Sequence, residues 1–526
     1  MIYKIKVNFN NGFIWHISNN TYFKGFFWID NKFYEGEAAI EYIEQQKNEM
    51  LLKSILLKMN GSFCFIRQFK DKILVAVDKM RSFPLYLGVK NSNNFIISDD
   101  VYYIANTLNS RINKLSLLHM FISRTTIGHD TLYNNIYSLV AGEFLELTDE
   151  KGSCFEKYYN HIHHRIYKTK DIYIKELLKS TYNVFSRIVK SCDNKQVVIP
   201  LSAGYDSRYI AVMLKKLNYK NVICFSYGRE TSFEVEESKR VAQILGYKWY
   251  FVKYDESFWK KYILKNDDAF FKYLAGGTSV PALQNIFAIV ELKEKNIIND
   301  DAIVLFGHGG DVLAGSDYIS YKKFQNRFQN DVIKTLLKNY FKHGKLNERF
   351  IFRTKEKIKD NFSNNNIEDN YEEYIRLHGD SKYILNSLRG VEYINLVWRL
   401  PLWDDEFQYF WYSIDNKFRE NKKFYKEFLN NYVFNEFNLQ KQEEYINLVK
   451  KFVLNLEMPI YIYDILKKFY QCIYFNLKDK DKYIDFNNMT DFKKVVAQSI
   501  NLDKLNHTTD YMVCWLYLKI IMKDRR

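Results

Sequence analysis

The chain has 526 residues, 47% hydrophobic and 26% charged, with a net charge of +15. That balance excludes wholesale disorder, and the length exceeds what one core usually serves, so two domains are expected. The start lacks a basic segment followed by a long apolar run, and no stretch of about 18 apolar residues is free of charge. A cytoplasmic protein without membrane spans is expected. Cys64, Cys154, Cys192, Cys224, Cys472 and Cys514 form no Cys-x-x-Cys pair, which argues against a zinc or disulfide scaffold. The basic residues are dispersed, so a nucleic-acid partner is not expected.

Residues 1 to about 150 read as short strands with turns: IYKIKVNF, NGFIWHIS, GSFCFIRQF, KILVAVDK, FPLYLGV and NFIISDD, with a helix from Glu37 to Lys58. Alternation with Gly and Asn punctuation predicts a β-rich domain. Residues 151–170 read as a polar linker. From residue 171 the pattern turns helical in KELLKSTYNVFSRIVKSC, and then strands alternate with helices: VVIPL, SRYIAVMLKKL, NVICFSYG, EVEESKRVAQILG, KWYFVKY and AIVLFG. This order predicts parallel βαβ units, with ligands at the carboxyl ends of the strands. Beyond residue 322 the chain reads as helical.

Chemistry concentrates in two strand-end loops. Leu201 to Ser207 reads LSAGYDS, and its small residues allow backbone N–H groups to close around a phosphate or pyrophosphate at a helix start. Asp206 beside such a cradle repels the anion unless a cation lies between them, which points to Mg²⁺. A second carboxylate, Asp311, ends GHGGD after AIVLFG, where Gly307, Gly309 and Gly310 permit close backbone approach. HIHH at His161, His163 and His164 suggests a metal tract, but no Cys or acidic residue lies near it at ligand spacing.

LSAGYDS resembles the Ser-Gly-Gly-x-Asp-Ser signature of the PP-loop ATP pyrophosphatases, and within them the asparagine synthetases and β-lactam synthetases. FSYG, TSVP at Thr278 to Pro281, GHGGDVLAGSDY and WRLPLWDDEF are similar to further family segments. GSFCFIRQF, VAVDKMRSFPLYLG and FIISDD look like the family's N-terminal glutaminase domain. The resemblance implies an α+β Ntn-hydrolase-like domain, a β-sandwich with helices, over 1–150. It implies an α/β PP-loop domain (adenine nucleotide α-hydrolase-like) with a helical C-terminal part over 171–526. Implied cofactors are ATP and Mg²⁺, the metal held by Asp206 and Asp311. ATP and its pyrophosphate would lie against Leu201, Ser202, Ala203, Gly204, Tyr205, Asp206, Ser207, Tyr227, Gly228, Phe306 and Gly307.

Four positions depart from the family pattern. Position 2 is Ile2 where the glutaminases carry a nucleophilic Cys, so glutamine hydrolysis by that route is not expected and the N-terminal domain reads as a structural remnant. Ala203 replaces a Gly, and Arg208 follows Ser207 where Ser or Thr is usual. His308 replaces a Glu, either as a base toward an amine or as a local filler, and Val312 replaces another Glu. The family's catalytic Lys aligns loosely with Lys441, against Lys423 and Lys426. The expected activity is ligation of a small-molecule or peptide carboxylate, through an acyl-adenylate, to an amine or ammonia, and homodimer formation is compatible with it. An RNA-modifying PP-loop enzyme and an inert homologue acting as a binding module are the alternatives.

Overall fold

The computed structural model describes residues 2–150, 152–264, 267–283, 285–316, 329–340, 348–362, 366–440, 488–500 and 509–523. The first third of the chain supplies β1 (Ile2–Lys6), β2 (His16–Ile17), β3 (Thr21–Ile29), β4 (Lys32–Glu35), β5 (Asn60–Gln68), β6 (Lys72–Val77), β7 (Tyr86–Asn91), β8 (Asn94–Ser98), β9 (Ile136–Ser138), β10 (Glu143–Thr148) and β11 (Gly152–Lys157). They form one sheet in the order β11-β10-β6-β5-β3-β2, with β4 paired to β3, and a second in the order β1-β8-β7-β9.

Side chains alternate across a strand, and that offset builds two cores here. Phe63, Phe65, Leu74 and Ala76 pack with Ile40, Ile43, Leu52 and Leu56 of helices α1 (Gly36–Gln45) and α2 (Glu49–Leu56). Their neighbours Cys64, Ile66, Val75 and Val77 turn the other way, into a core shared with Leu87, Phe95 and Ile97 of the second sheet. The single helix expected from Glu37 to Lys58 is therefore two. Asn48 starts the second by accepting the Leu51 N–H, a side-chain cap that replaces a missing intrahelical partner. β3 was not legible as a strand, because its residues are mostly buried whichever face they use and the alternation disappears.

Helices α3 (Val101–Thr107) and α4 (Lys114–Ser123) lie between β8 and β9, and the stretch expected as a linker carries β11 at the edge of the larger sheet and then runs to α5 (Lys170–Cys192) with His161 1% exposed. The His161 Nε2–H donates to the Lys79 carbonyl (2.9 Å), leaving Nδ1 to accept from the Tyr412 hydroxyl (3.0 Å). His163 lies 3.2 Å from Glu372 and 3.0 Å from Arg419. Its acidic partner thus comes from a distant helix rather than from nearby sequence. Among the described residues no group of three or more His, Cys, Asp or Glu is arranged to hold a metal, and His161 and His163 are taken up by the packing contacts just named.

A third, wholly parallel sheet follows: β12 (Val197–Pro200), β13 (Val222–Gly228), β14 (Lys248–Lys253), β15 (Ile303–Leu305) and β16 (Val397–Arg399), in the order β14-β13-β12-β15-β16. Helices α6 (Tyr205–Lys216) and α7 (Phe233–Leu245) are the crossovers from β12 to β13 and from β13 to β14. The chain winds outward from β12 in one direction and returns on its other side at β15, so a crevice opens between the loops that leave β12 and β15. The remainder is mainly helical, including Asp405–Ser413, Met489–Ile500 and Thr509–Lys523. Among the described residues no helix is long and apolar enough to cross a membrane.

Contacts between the N-terminal sheets and the rest of the chain are largely buried and specific. Trp398 of β16 meets Phe13 and Phe83 at ring distances of 5.4 and 5.7 Å. Lys79 pairs with Asp405. Arg81, 0% exposed, reaches Ser138, Leu139, Thr278 and Asn386.

Burial pushes His119 and His161 down to about 3 and His163 to about 4. Below the unfolded value of about 6.5 the unfolded chain binds protons that the folded chain refuses, so stability falls as pH drops through that point toward the folded values. Each of these histidines should cost about 1.4 kcal/mol per pH unit in that window. Urea denaturation at pH 7.5 and 5.5 checks this, and an unchanged midpoint would contradict the buried neutral state.

Candidate functional site

Leu201 closes β12 by donating its N–H to the Phe225 carbonyl (2.9 Å), and the chain then turns into α6 through Ser202, Ala203 and Gly204. The Ser202 N–H donates to Ser207 Oγ (3.0 Å), and the Gly204 N–H donates to Ser202 Oγ (3.0 Å). Ala203 is fully buried and does not adopt a positive φ, which is why Ala is tolerated there. Its N–H donates to Oε2 of Glu234 (2.7 Å) from the first turn of α7. A carboxylate oxygen thus lies on the loop's backbone donor where an anion is expected, and sequence reading missed it because Glu234 is one of several acids in that helix.

The second loop packs against the first, backbone to backbone. A Cβ on Gly307 would lie 2.9 Å from the Ser207 nitrogen and 3.0 Å from Asp206 Cβ. This approach needs glycine for space and not for its conformational freedom. It brings the Asp311 N–H to Oδ2 of Asp206 (3.0 Å), while Oδ1 of Asp206 accepts from the Tyr425 hydroxyl (2.7 Å). Burial, and then the Asp311 charge, raise Asp206 to about 7. Gly309 has a φ of 106°, and the Trp403 indole fills the space beside it.

His308, half-buried, stacks on Phe306 at 5.4 Å and 8°. Its Nε2 is buried without a hydrogen-bond partner, and burial lowers it to about 4, so the ring is neutral at physiological pH. Leu201 and Phe306 are each 2% exposed and can offer a ligand little beyond backbone. Tyr227 stacks on Tyr254 at 5.0 Å, and Tyr205 on Phe434 at 6.1 Å, so neither ring is directed by contact at the Asp206 side. Gly228 ends β13 in a left-handed conformation. Arg208, expected to be anomalous, binds Glu237 (2.8 Å) and the Leu439 carbonyl (2.8 Å), a brace between α6, α7 and the chain beyond.

Lys441 lies outside the described residues. Among the described residues a different lysine meets the pair: Lys422 Nζ lies 3.2 Å from Oδ2 of Asp311. Asn421 and Lys422 have φ of 53° and 59°, two successive left-handed residues, a conformation costing about 1–3 kcal/mol at a non-glycine position. No sequence signal distinguishes Lys422 from its lysine neighbours. The TSVP segment lies elsewhere: Thr278 meets Arg81 and Asn386 in the buried contact between the sheets.

Two adjacent carboxylates make a small donor set, which suits Mg²⁺ because that ion usually takes one or two carboxylates and completes its shell with water and phosphate oxygens. Burial first and the Asp311 charge second raise the Asp206 carboxyl, so a cation between the two acids would favour its ionised form. A separate cavity of about 410 Å³, walled by Tyr262, Phe270, Phe287 and Tyr393, includes none of these loop residues.

The parallel sheet thus carries this loop pair at its switch point, behind two packed N-terminal sheets. Residues 30–159 match the sequence model of a glutamine amidotransferase domain. The chain is 28% identical over 153 residues to the tRNA-specific 2-thiouridylase of Shouchella clausii, a match covering 27% of this chain and 38% of that protein, which is well short of its length. Similar solved structures include the glutamine phosphoribosylpyrophosphate amidotransferase from B. subtilis complexed with ADP and GMP, with 12% identity, 46% of this chain, 72% of that one and a TM-score of 0.20. Another is the NH3-dependent NAD synthetase from Campylobacter jejuni, with 14% identity, 37% of this chain, 95% of that one and a TM-score of 0.21. The proteins it is similar to are enzymes, and a glutamine amidotransferase-like segment followed by a parallel α/β sheet is an order that fits an asparagine-synthetase-like architecture.

Gly307→Ala should separate the two loops. A loss of about 1–3 kcal/mol in unfolding free energy is expected from the inserted methyl group, measured by chemical denaturation, and wild-type stability would argue against the backbone contact.

Proposed function

We propose that the chain is an ATP-dependent ligase that forms AMP and pyrophosphate while joining a carboxylate to ammonia or an amine, without hydrolysing glutamine. One observation carries this reading. At the switch point the Ala203 N–H already donates to a carboxylate oxygen, Oε2 of Glu234, at 2.7 Å, in the same loop that leads to the paired Asp206 and Asp311. A donor that binds a carboxylate oxygen also suits a phosphate oxygen, and paired acids beside phosphates call for a cation.

In this reading residues 1–150 are a glutaminase-like domain without its nucleophile, 151–170 connect, and 171–526 form the synthetase. The Ser202–Ser207 loop takes the phosphates, while Leu201, Tyr227, Gly228, Phe306 and Gly307 border the adenine. Asp206 and Asp311 would hold Mg²⁺, whose positive charge would be supplied beside the polyphosphate. The substrate carboxylate displaces pyrophosphate at the α-phosphorus, and the amine then displaces AMP from the acyl-adenylate. His308, neutral with an unpartnered Nε2, serves as an acceptor that orients the amine N–H rather than as a strong base. Support for a missing glutaminase step comes from Ile2, whose N–H donates to the Asn93 carbonyl (2.8 Å), and from Cys64, whose thiol burial pushes up and out of reach.

The test is AMP and pyrophosphate release from ATP with a panel of carboxylates, each with ammonium, glutamine or candidate amines. Product with ammonium or an amine and none with glutamine is expected. Asp206→Asn and Asp311→Asn should each lower turnover by about a hundredfold or more, and full activity in both would remove the site assignment. The 2-thiouridylase match favours a second reading, modification of RNA, for which ATP turnover that requires RNA instead of a small carboxylate would be the sign.

A further inference from the structure

One short turn, 419–425, touches both halves of the carboxylate pair. Arg419 is fully buried, forms a two-pronged pair with Glu372 (3.0 and 2.6 Å), and its Nε–H donates to the Leu313 carbonyl (3.1 Å), two residues past Asp311. The same unit is locked from the other side: a Cβ on Gly315 would lie 2.4 Å from the Arg419 carbonyl oxygen. Tyr425 then holds Asp206, and between these two anchors Lys422 reaches Asp311 (3.2 Å) from its left-handed backbone.

The side chains of Lys422 and Asp311 are 29% and 42% exposed. An ion pair this exposed contributes little to stability, so it does not account for a lysine held in a conformation that suits asparagine or glycine better. What the arrangement does achieve is to keep an ammonium on one of the two carboxylates and leave it free to move into solvent, because no buried charge is stranded when it lets go.

Resting on the reading of Asp206 and Asp311 as a metal pair, we infer that Lys422 is a tethered cation that occupies Asp311 in the metal-free protein and competes with the divalent ion for it. Lys422 is a positioning residue. It keeps the two acids together before loading, and it sets the metal concentration at which the site fills. Once displaced, its ammonium remains at the mouth of the pair, where phosphate oxygens brought by the ion would meet it.

The experiment titrates Mn²⁺ into the full chain without nucleotide, by calorimetry or by loss of the free-ion electron paramagnetic resonance signal. Lys422→Asn removes the charge and suits the left-handed backbone, Lys422→Arg keeps the charge, and Asp311→Asn removes the proposed ligand. Lys422→Asn should bind Mn²⁺ about threefold to fivefold more tightly than wild type, the range set by losing a partly exposed competing pair. Lys422→Arg should stay close to wild type, and Asp311→Asn should lose binding. Equal or weaker Mn²⁺ affinity in Lys422→Asn, with binding still lost in Asp311→Asn, overturns the competition alone. No Mn²⁺ binding in wild type or in Lys422→Asn overturns the competition together with the metal assignment beneath it.

Discussion

The backbone contact between Gly307 and the first turn of α6 is the constraint on which the candidate site depends. With no side chain at Gly307, the loop after β15 lies directly on Ser207 and Asp206, and the Asp311 N–H reaches the Asp206 carboxylate. Two acids are thereby forced into one small volume. Everything around them answers that electrostatic problem: the Tyr425 hydroxyl donates to one, Lys422 faces the other, and Asp206 is still raised to about 7.

The surroundings of the pair are stiffer than the pair itself. Arg419 and Glu372, beside the neutral His163, form a buried charged cluster whose arginine also holds the Leu313 carbonyl. Removing one member of such a cluster leaves an uncompensated charge in a dry interior, which is far more costly than losing a surface pair. The loop carrying Asp311 is therefore anchored by buried residues, while the ion pair at its tip is partly exposed.

The N-terminal part, whose residues 30–159 match a glutamine amidotransferase domain, has a structural role of its own. Trp398 packs on Phe13 and Phe83, Lys79 pairs with Asp405, and Asn60 donates to Asp404, which also holds Arg187. Asp404 and Asp405 directly follow the segment Leu400–Trp403 that packs under Gly309 and Gly310. Deleting the N-terminal sheets would expose this apolar and charged surface next to the site, so their role in holding the second part is independent of any chemistry of their own.

Much of this was legible in the linear chain. Strands β5 to β8 and β12 to β15 were readable because each carries either alternation or a short β-branched run, and the paired loops were readable because Gly-rich turns ending in Asp are unusual on two strands of one sheet. The Ser202–Ser207 loop, Asp206 and Asp311 follow from local residue types alone. What the chain order could not disclose are partners that arrive from far away in sequence. Glu234 lies on the loop from a helix 31 residues on, Tyr425 comes to Asp206 from 219 residues away, and Lys422 reaches Asp311 across 111 residues. Glu372 likewise meets a histidine that looked solitary. Propensity and spacing determine what a segment becomes and which backbone donors it presents. Which charges then share a low-dielectric volume is decided by packing, because one lysine among many identical neighbours differs from them only by where the folded chain puts it.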